Sequence, residues 1–270
     1  MNTITNFIEL RKCSRIWAIG SIHSNLNAFY SIKKFILNNF KEDDRLVILG
    51  NVIGLGDSSK EIISNIISLR FDLMSKFKLK PKDIVFLRGA QEEMFSKLLQ
   101  LQIAPNPLEI INWLFEHGVD KTLESYGYTT DEAINVANSG TVAISRWTSR
   151  LNKSLHENPG HKDFLLSLKH AAYSSSKKIL FVNRGVDITR PLSAQNDCFW
   201  WGFQNFSEIS RPYKSFNRIV RGYESIHKNE LEQSKNRIVC TLFKQPLTNS
   251  NIYAGIFSES GEILDLFESN

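Results

Sequence analysis

The sequence predicts an α/β fold built on a parallel sheet covered on both faces, and three observations predict it. Three short apolar runs, Arg15 to Ile19, Leu46 to Leu49 and Ile84 to Leu87, each lead within two residues to a glycine. Segments with apolar residues at helical spacing separate the runs. The runs themselves show no polar alternation, which is the pattern of strands buried on both sides.

Each element has its own signal. RIWAI, the first strand, ends at Gly20 and a polar turn. Asn25 can cap a helix whose apolar positions are Leu26, Phe29, Ile32, Ile36 and Leu37. LVIL is the second strand, and Ser58 or Ser59 can cap the helix that carries Ile62, Ile63, Ile66, Ile67 and Leu69. IVFL is the third. In such sheets the chemistry sits in the loops beyond the strand C-termini. Those loops read GSIHS, GNVIGLG and GAQEE. From Glu92 to His170 the apolar spacing is helical, punctuated by Pro105, Pro107 and Pro159, and predicts a helical insertion over one sheet edge. Strand-like segments follow at Lys178 to Val182, Arg218 to Val220, Arg237 to Leu242, Asn251 to Phe257 and Glu262 to Phe267. Ser260-Gly261 joins the last two as a hairpin. With no internal repeat or low-complexity linker, one domain over 1–270 is expected, with its insertion at about 92–170.

Composition narrows the function classes. The 270 residues are 42% hydrophobic and 23% charged, ordinary for a globular chain with a large core. No apolar run reaches the roughly 18 residues a membrane helix needs, so no membrane association is expected. The N-terminal MNTITNFIELRKCSRIW lacks a signal-peptide pattern, and a cytoplasmic protein is expected. Cys13, Cys198 and Cys240 match no zinc spacing and are expected as reduced thiols. The net charge of +5 comes from scattered residues, with short clusters at KSLHENPGHK and SSSKK. Nucleic acid is therefore not the expected partner.

The three strand-ending loops resemble those of the calcineurin-like metallophosphoesterase family, especially its serine/threonine protein phosphatase and diadenosine-tetraphosphatase branch. There the first loop reads Gly-Asp-x-His-Gly; here it is Gly20-Ser21-Ile22-His23-Ser24. The second has Gly-Asp and then an Asp/Gly-Arg-Gly element; here it runs from Gly50-Asn51 to Gly54-Leu55-Gly56. The third is Gly-Asn-His-Glu; here it is Gly89-Ala90-Gln91-Glu92. Later, Asn183-Arg184-Gly185 stands where the family has His-Ala-Gly, and Gly222-Tyr223 where it has Gly-His. WLFEHGVDKTLESYG, HKDFLLSL and RPLSAQ resemble further segments of the branch, so the likeness runs from about Arg15 to the C-terminus. It implies a β-sandwich of mixed sheets flanked by helices, with the helical insertion.

The resemblance also implies a lost metal site. Family members hold two metal ions that activate a water and clamp the phosphoryl group. The positions that match those ligands and the catalytic histidine are Ser21, His23, Asn51, Ala90, Gln91, Asn183 and Tyr223, and only His23 keeps the family residue. Leu55 replaces a phosphate-binding arginine and Gly54 its acidic neighbour. Two divalent ions need carboxylates and neutral imidazoles. Without them water keeps a pKa near ~15.7, against about 7 on a metal. No metal and no cofactor is expected. Every replacement is neutral, which lets the loops close without a cation, since clustered carboxylates would repel.

What survives points to binding. His23 is expected as a hydrogen-bonded histidine beneath the pocket. His117, His156, His161, His170 and His227 lie outside the motifs and are expected in surface or packing roles. Arg88, Arg184 and Arg221 either grip a phosphate bidentately or pair with Glu92, Glu93 or Glu224. The run Phe199, Trp200, Trp201, Phe203 is either core or, through Trp200 and Trp201, a partner-binding patch. The expected function is an inactive homologue, a pseudophosphatase, that binds a phosphate-bearing ligand or a protein partner. The alternative is a repurposed phosphoesterase that uses His23 with Glu92 or Asp57. A third possibility is a structural subunit docked through the aromatic run.

Overall fold

The computed structural model describes residues 6–202, 206, 209–223, 238–243 and 251–269. Phe203, Glu224, His227 and Arg237, named above, lie outside them. The elements in order are β1 (Phe7–Glu9), β2 (Arg15–Ile19), α1 (Leu26–Asn39), β3 (Asp44–Ile48), α2 (Ser59–Phe77), β4 (Ile84–Phe86), α3 (Ala90–Leu98), α4 (Pro107–Glu116), α5 (Val119–Ser125) and α6 (Thr130–Asn138). There follow α7 (Thr141–Glu157), α8 (His161–Ser167), β5 (Ala171–Tyr173), β6 (Ile179–Val182), α9 (Cys198–Trp201), β7 (Arg218–Arg221), β8 (Val239–Thr241), β9 (Tyr253–Phe257) and β10 (Ile263–Glu268).

The strands form two mixed sheets, in the orders β10-β9-β2-β3-β4 and β1-β5-β6-β7-β8. The three apolar runs of the sequence are the parallel β2, β3 and β4. Alternation along each strand explains why all three are apolar throughout. Ile16, Ala18, Val47 and Val85 face a core shared with Phe181, Val220 and Cys240 of the other sheet. Trp17, Ile19, Leu46, Ile48, Ile84 and Phe86 face the helices. One face of the parallel strands is thus covered by helices and the other by a second sheet.

Polar anchors fix the ends of the strands opposite the loops. Asp44 is buried and accepts hydrogen bonds from Arg15 (2.9 and 2.6 Å), the Trp17 indole (2.8 Å) and the Lys41 N–H (2.8 Å). Asp83, also buried, is held by Arg11, by Arg45 at 3.3 Å and by the Lys80 N–H at 2.6 Å. A buried carboxylate is tolerable only when paired this fully. Between β4 and β5 the chain is helical, α3 to α8, and β9 and β10 form the antiparallel hairpin read at Ser260-Gly261. Among the described residues no helix is long and apolar enough to cross a membrane. Cys13, Cys198 and Cys240 are buried free thiols.

Candidate functional site

The C-terminal ends of β2, β3, β4, β6 and β7 bring the loops of interest together, and backbone hydrogen bonds knit them. Ile22 and His23 N–H groups donate to Asn51 O at 3.0 and 2.9 Å, and Ser21 N–H donates to Gly222 O at 2.9 Å. Gly222 N–H donates to Asn183 O at 2.9 Å. His23, Ser24, Asn51 and Leu55 all have positive φ, between 48° and 62°. Each such non-glycine residue costs about 1 kcal/mol or more, so the surrounding contacts over-determine these loops.

Glu92 is the hub. Its buried carboxylate accepts from Asn51 N–H (2.9 Å), Gly89 N–H (2.8 Å), Val52 N–H (2.6 Å) and Ile53 N–H (3.3 Å). Burial pushes its pKa up, and the four N–H groups pull it back. With four donors on two oxygens, Glu92 is not a free base. Asp57, its suggested companion, has a side chain 85% exposed and lies 3.7 Å from Lys121. A second hub joins the first two loops to α5: Ser59 Oγ lies 2.7 Å from Ser24 Oγ and 3.0 Å from Thr122 Oγ1. The sequence could have shown half of this. A glutamate three residues after Gly89 has the spacing that returns a side chain to a helix N-terminus.

The family-matched positions are all in this network. Asn51 Oδ1 accepts from Gln91 N–H at 3.1 Å, and Gln91 Nε2 donates to His117 O at 2.9 Å. Asn183 Nδ2 donates to Leu49 O at 2.7 Å. Ala90 is buried at the start of α3. Ser21 Oγ, Gln91 Oε1, Asn183 Oδ1 and both ring nitrogens of His23 are buried with no hydrogen-bond partner among the described residues. The expectation of a hydrogen-bonded His23 ring therefore finds no partner among those residues. The rings of Tyr223 and Phe243 stand 5.5 and 6.0 Å from its ring, each edge-on, and 4.8 Å from one another. They replace polar partners with hydrocarbon, and the burial drives the His23 pKa down to about 4.

The arginines separate. Arg184 is half-buried, its guanidinium 5.5 Å above the Tyr223 ring, and no described residue forms an ion pair or side-chain hydrogen bond with it. Burial lowers its pKa, and that of Tyr223 is raised by burial against the opposing charge of Arg184. Arg88 pairs with Glu93 at 2.7 Å. Arg221 is buried, donates to Thr241 Oγ1 at 2.8 Å and lies 4.2 Å over Phe206. Of the aromatic run, Phe199 and Trp200 are buried, Trp200 against His170 at 4.9 Å. Trp201 is half-buried and meets the exposed Trp113 at 5.9 Å.

These residues do not fit a binuclear metal centre. Asn51 Oδ1 is taken by Gln91 N–H, His23 meets two aromatic rings and Glu92 is engaged by four N–H groups, while the remaining amide oxygens of Gln91 and Asn183 are neutral and cannot replace bridging carboxylates. Among the described residues no three His, Cys, Asp or Glu side chains group as ligands.

No family model matches this sequence, and no curated protein matches it either. Solved structures do. One, of a candidate diadenosine tetraphosphatase, is 16% identical with a TM-score of 0.55, over 98% of this chain and 99% of that one. Another, a protein serine/threonine phosphatase from Saccharomyces cerevisiae, is 14% identical with a TM-score of 0.51, over 98% of this chain and 84% of that one. At such identities the likeness is one of fold: two mixed sheets flanked by helices, as in these two phosphatase structures.

Proposed function

We propose that this chain is a pseudophosphatase, a metallophosphoesterase-like protein that binds a phosphate-bearing ligand or a partner and does not hydrolyse it. The observation that carries the reading is His23, the one family ligand retained, with both nitrogens shut beneath Tyr223 and Phe243. A metal-bound nucleophile needs open coordination positions and basic ligands. Neutral side chains at the other matched positions supply neither. Arg184 supports the binding half of the proposal. Its guanidinium is half-buried beside this site with no described carboxylate to neutralise it, which suits an anion.

Two measurements on purified protein test this. Hydrolysis of p-nitrophenyl phosphate with millimolar Mn²⁺ should not exceed the buffer rate, and Mn²⁺ should leave the melting temperature of chelator-treated protein in place. A metal bound at hundredfold excess would add about 2.7 kcal/mol. Mn²⁺-dependent turnover that disappears in His23→Ala would overturn the reading in favour of a repurposed phosphoesterase. Binding of phosphopeptides or nucleotides should weaken at least roughly tenfold in Arg184→Ala, the loss of one charge-assisted pair.

A further inference from the structure

We propose a second, separate site in the helical block that binds a small phosphate-type polyanion. It does not depend on the function proposed above. Two adjoining hollows, of 470 and 390 Å³, share Gln102, Asn152 and Lys162 and form one cleft along α7 and α8. Lys153 and His156 line one end and Arg88 the other, and no Asp or Glu lines either hollow. Volumes of this order suit a small metabolite.

The charges in the cleft are not cancelled from within. Lys162 has no described carboxylate partner; its Nζ lies 2.7 Å from His156 Nε2. His156 Nδ1 lies 2.8 Å from Asn152 O, which can only accept. The hydrogen is therefore on Nδ1, and Nε2 accepts from the ammonium. The ring positions Lys162 and brings no negative charge to it. Among the described residues Lys153 pairs with Glu157 at 3.7 Å, with both side chains well exposed, a contact that screens little. Arg88 gives Nη1 to Glu93 at 2.7 Å, so its charge is partly spent. The ammonium groups of Lys153 and Lys162 offer donors to a compact anion. A cleft lined by one sign of charge also concentrates ligands of the other.

Arg88 thus changes its meaning. Its sequence position suggested a phosphate contact in the strand-end loops, whereas its side chain lines this cleft.

The test is calorimetric titration of the full chain with inorganic pyrophosphate, with sodium chloride at matched ionic strength as blank and citrate as a second anion. Saturable pyrophosphate binding is expected to include a component that is weakened roughly tenfold or more in Lys162→Ala and in Lys153→Ala and that is retained in Arg184→Ala. Lys162 and Lys153 are exposed, so their variants fold, and melting curves check both. Absence of saturable heat would sink the proposal. So would binding that survives Lys162→Ala but is lost in Arg184→Ala, which would place the anion at the strand-end loops. Saturation by citrate alone would overturn the phosphate assignment.

Discussion

Glu92 links two stretches of backbone through one side chain, and its role shows how a loop cluster of this kind holds together without carboxylates at the other positions. Its two oxygens take four N–H groups from Asn51, Val52, Ile53 and Gly89. Glu92→Gln keeps the shape but turns one acceptor into a donor, which then faces two buried N–H groups. Each orphaned group costs about 1–3 kcal/mol. The variant should lose roughly 3 kcal/mol in urea unfolding, and a loss within 0.5 kcal/mol or so of zero would show that the loops hold by other means. His23 is the opposite case. The motif marks it as a ligand, but its surroundings come from Tyr223 and Phe243, two hundred residues away or more in round terms. No local pattern could have announced them.

At the scale of elements, Gly20 decides how closely β2 and β8 approach. A Cβ there would lie 1.9 Å from the carbonyl oxygen of Leu242, a backbone atom. Gly20→Ala must push the first loop off the second sheet, and a loss on the order of 3 kcal/mol or more is expected. An unchanged thermal midpoint would mean that the loop moves freely. The sequence reads Gly20 correctly as the end of a strand, though nothing local says that another sheet crosses there. The same division runs through the fold. β2, β3 and β4 are legible because burial on both faces makes them apolar without a break. β1 and β5 are not, because three residues show no period and their partners lie far along the chain. β3 starts two residues before the apolar run at Leu46, because Asp44 and Arg45 carry charge yet are buried, held by Arg15, Trp17 and main-chain groups. Of the site, residue identities were legible and orientations were not. Arg88, Arg184 and Arg221 look equivalent in sequence, yet one lines a cleft, one rests on a tyrosine and one is buried in a sheet.

The whole molecule has a definite response to acid. His161 is buried and His23 half-buried with both ring nitrogens covered, and desolvation lowers the pKa of each from 6.5 to about 4. The unfolded chain binds those protons first, so the stability they contribute is complete above pH 6.5 and is lost as pH falls toward 4. Each should withdraw about 2–3 kcal/mol by pH 4.5. Glu92, whose pKa is raised, has the opposite sign: its contribution appears when it protonates and offsets part of the loss. Urea midpoints at pH 7 and 4.5 check this, and His23→Leu should flatten the difference; an equal difference in the variant would assign it elsewhere. The strand order carries a last consequence, for biosynthesis. β2 lies between β3, made soon after it, and β9, made near the end of the chain. At about 5–20 residues per second, roughly 10–50 s pass on the ribosome before β9 emerges. Through that interval the apolar RIWAI segment presents an open edge, the kind of surface that recruits stray strands. A nascent chain of this fold is therefore open to mispairing at β2 until β9 is made.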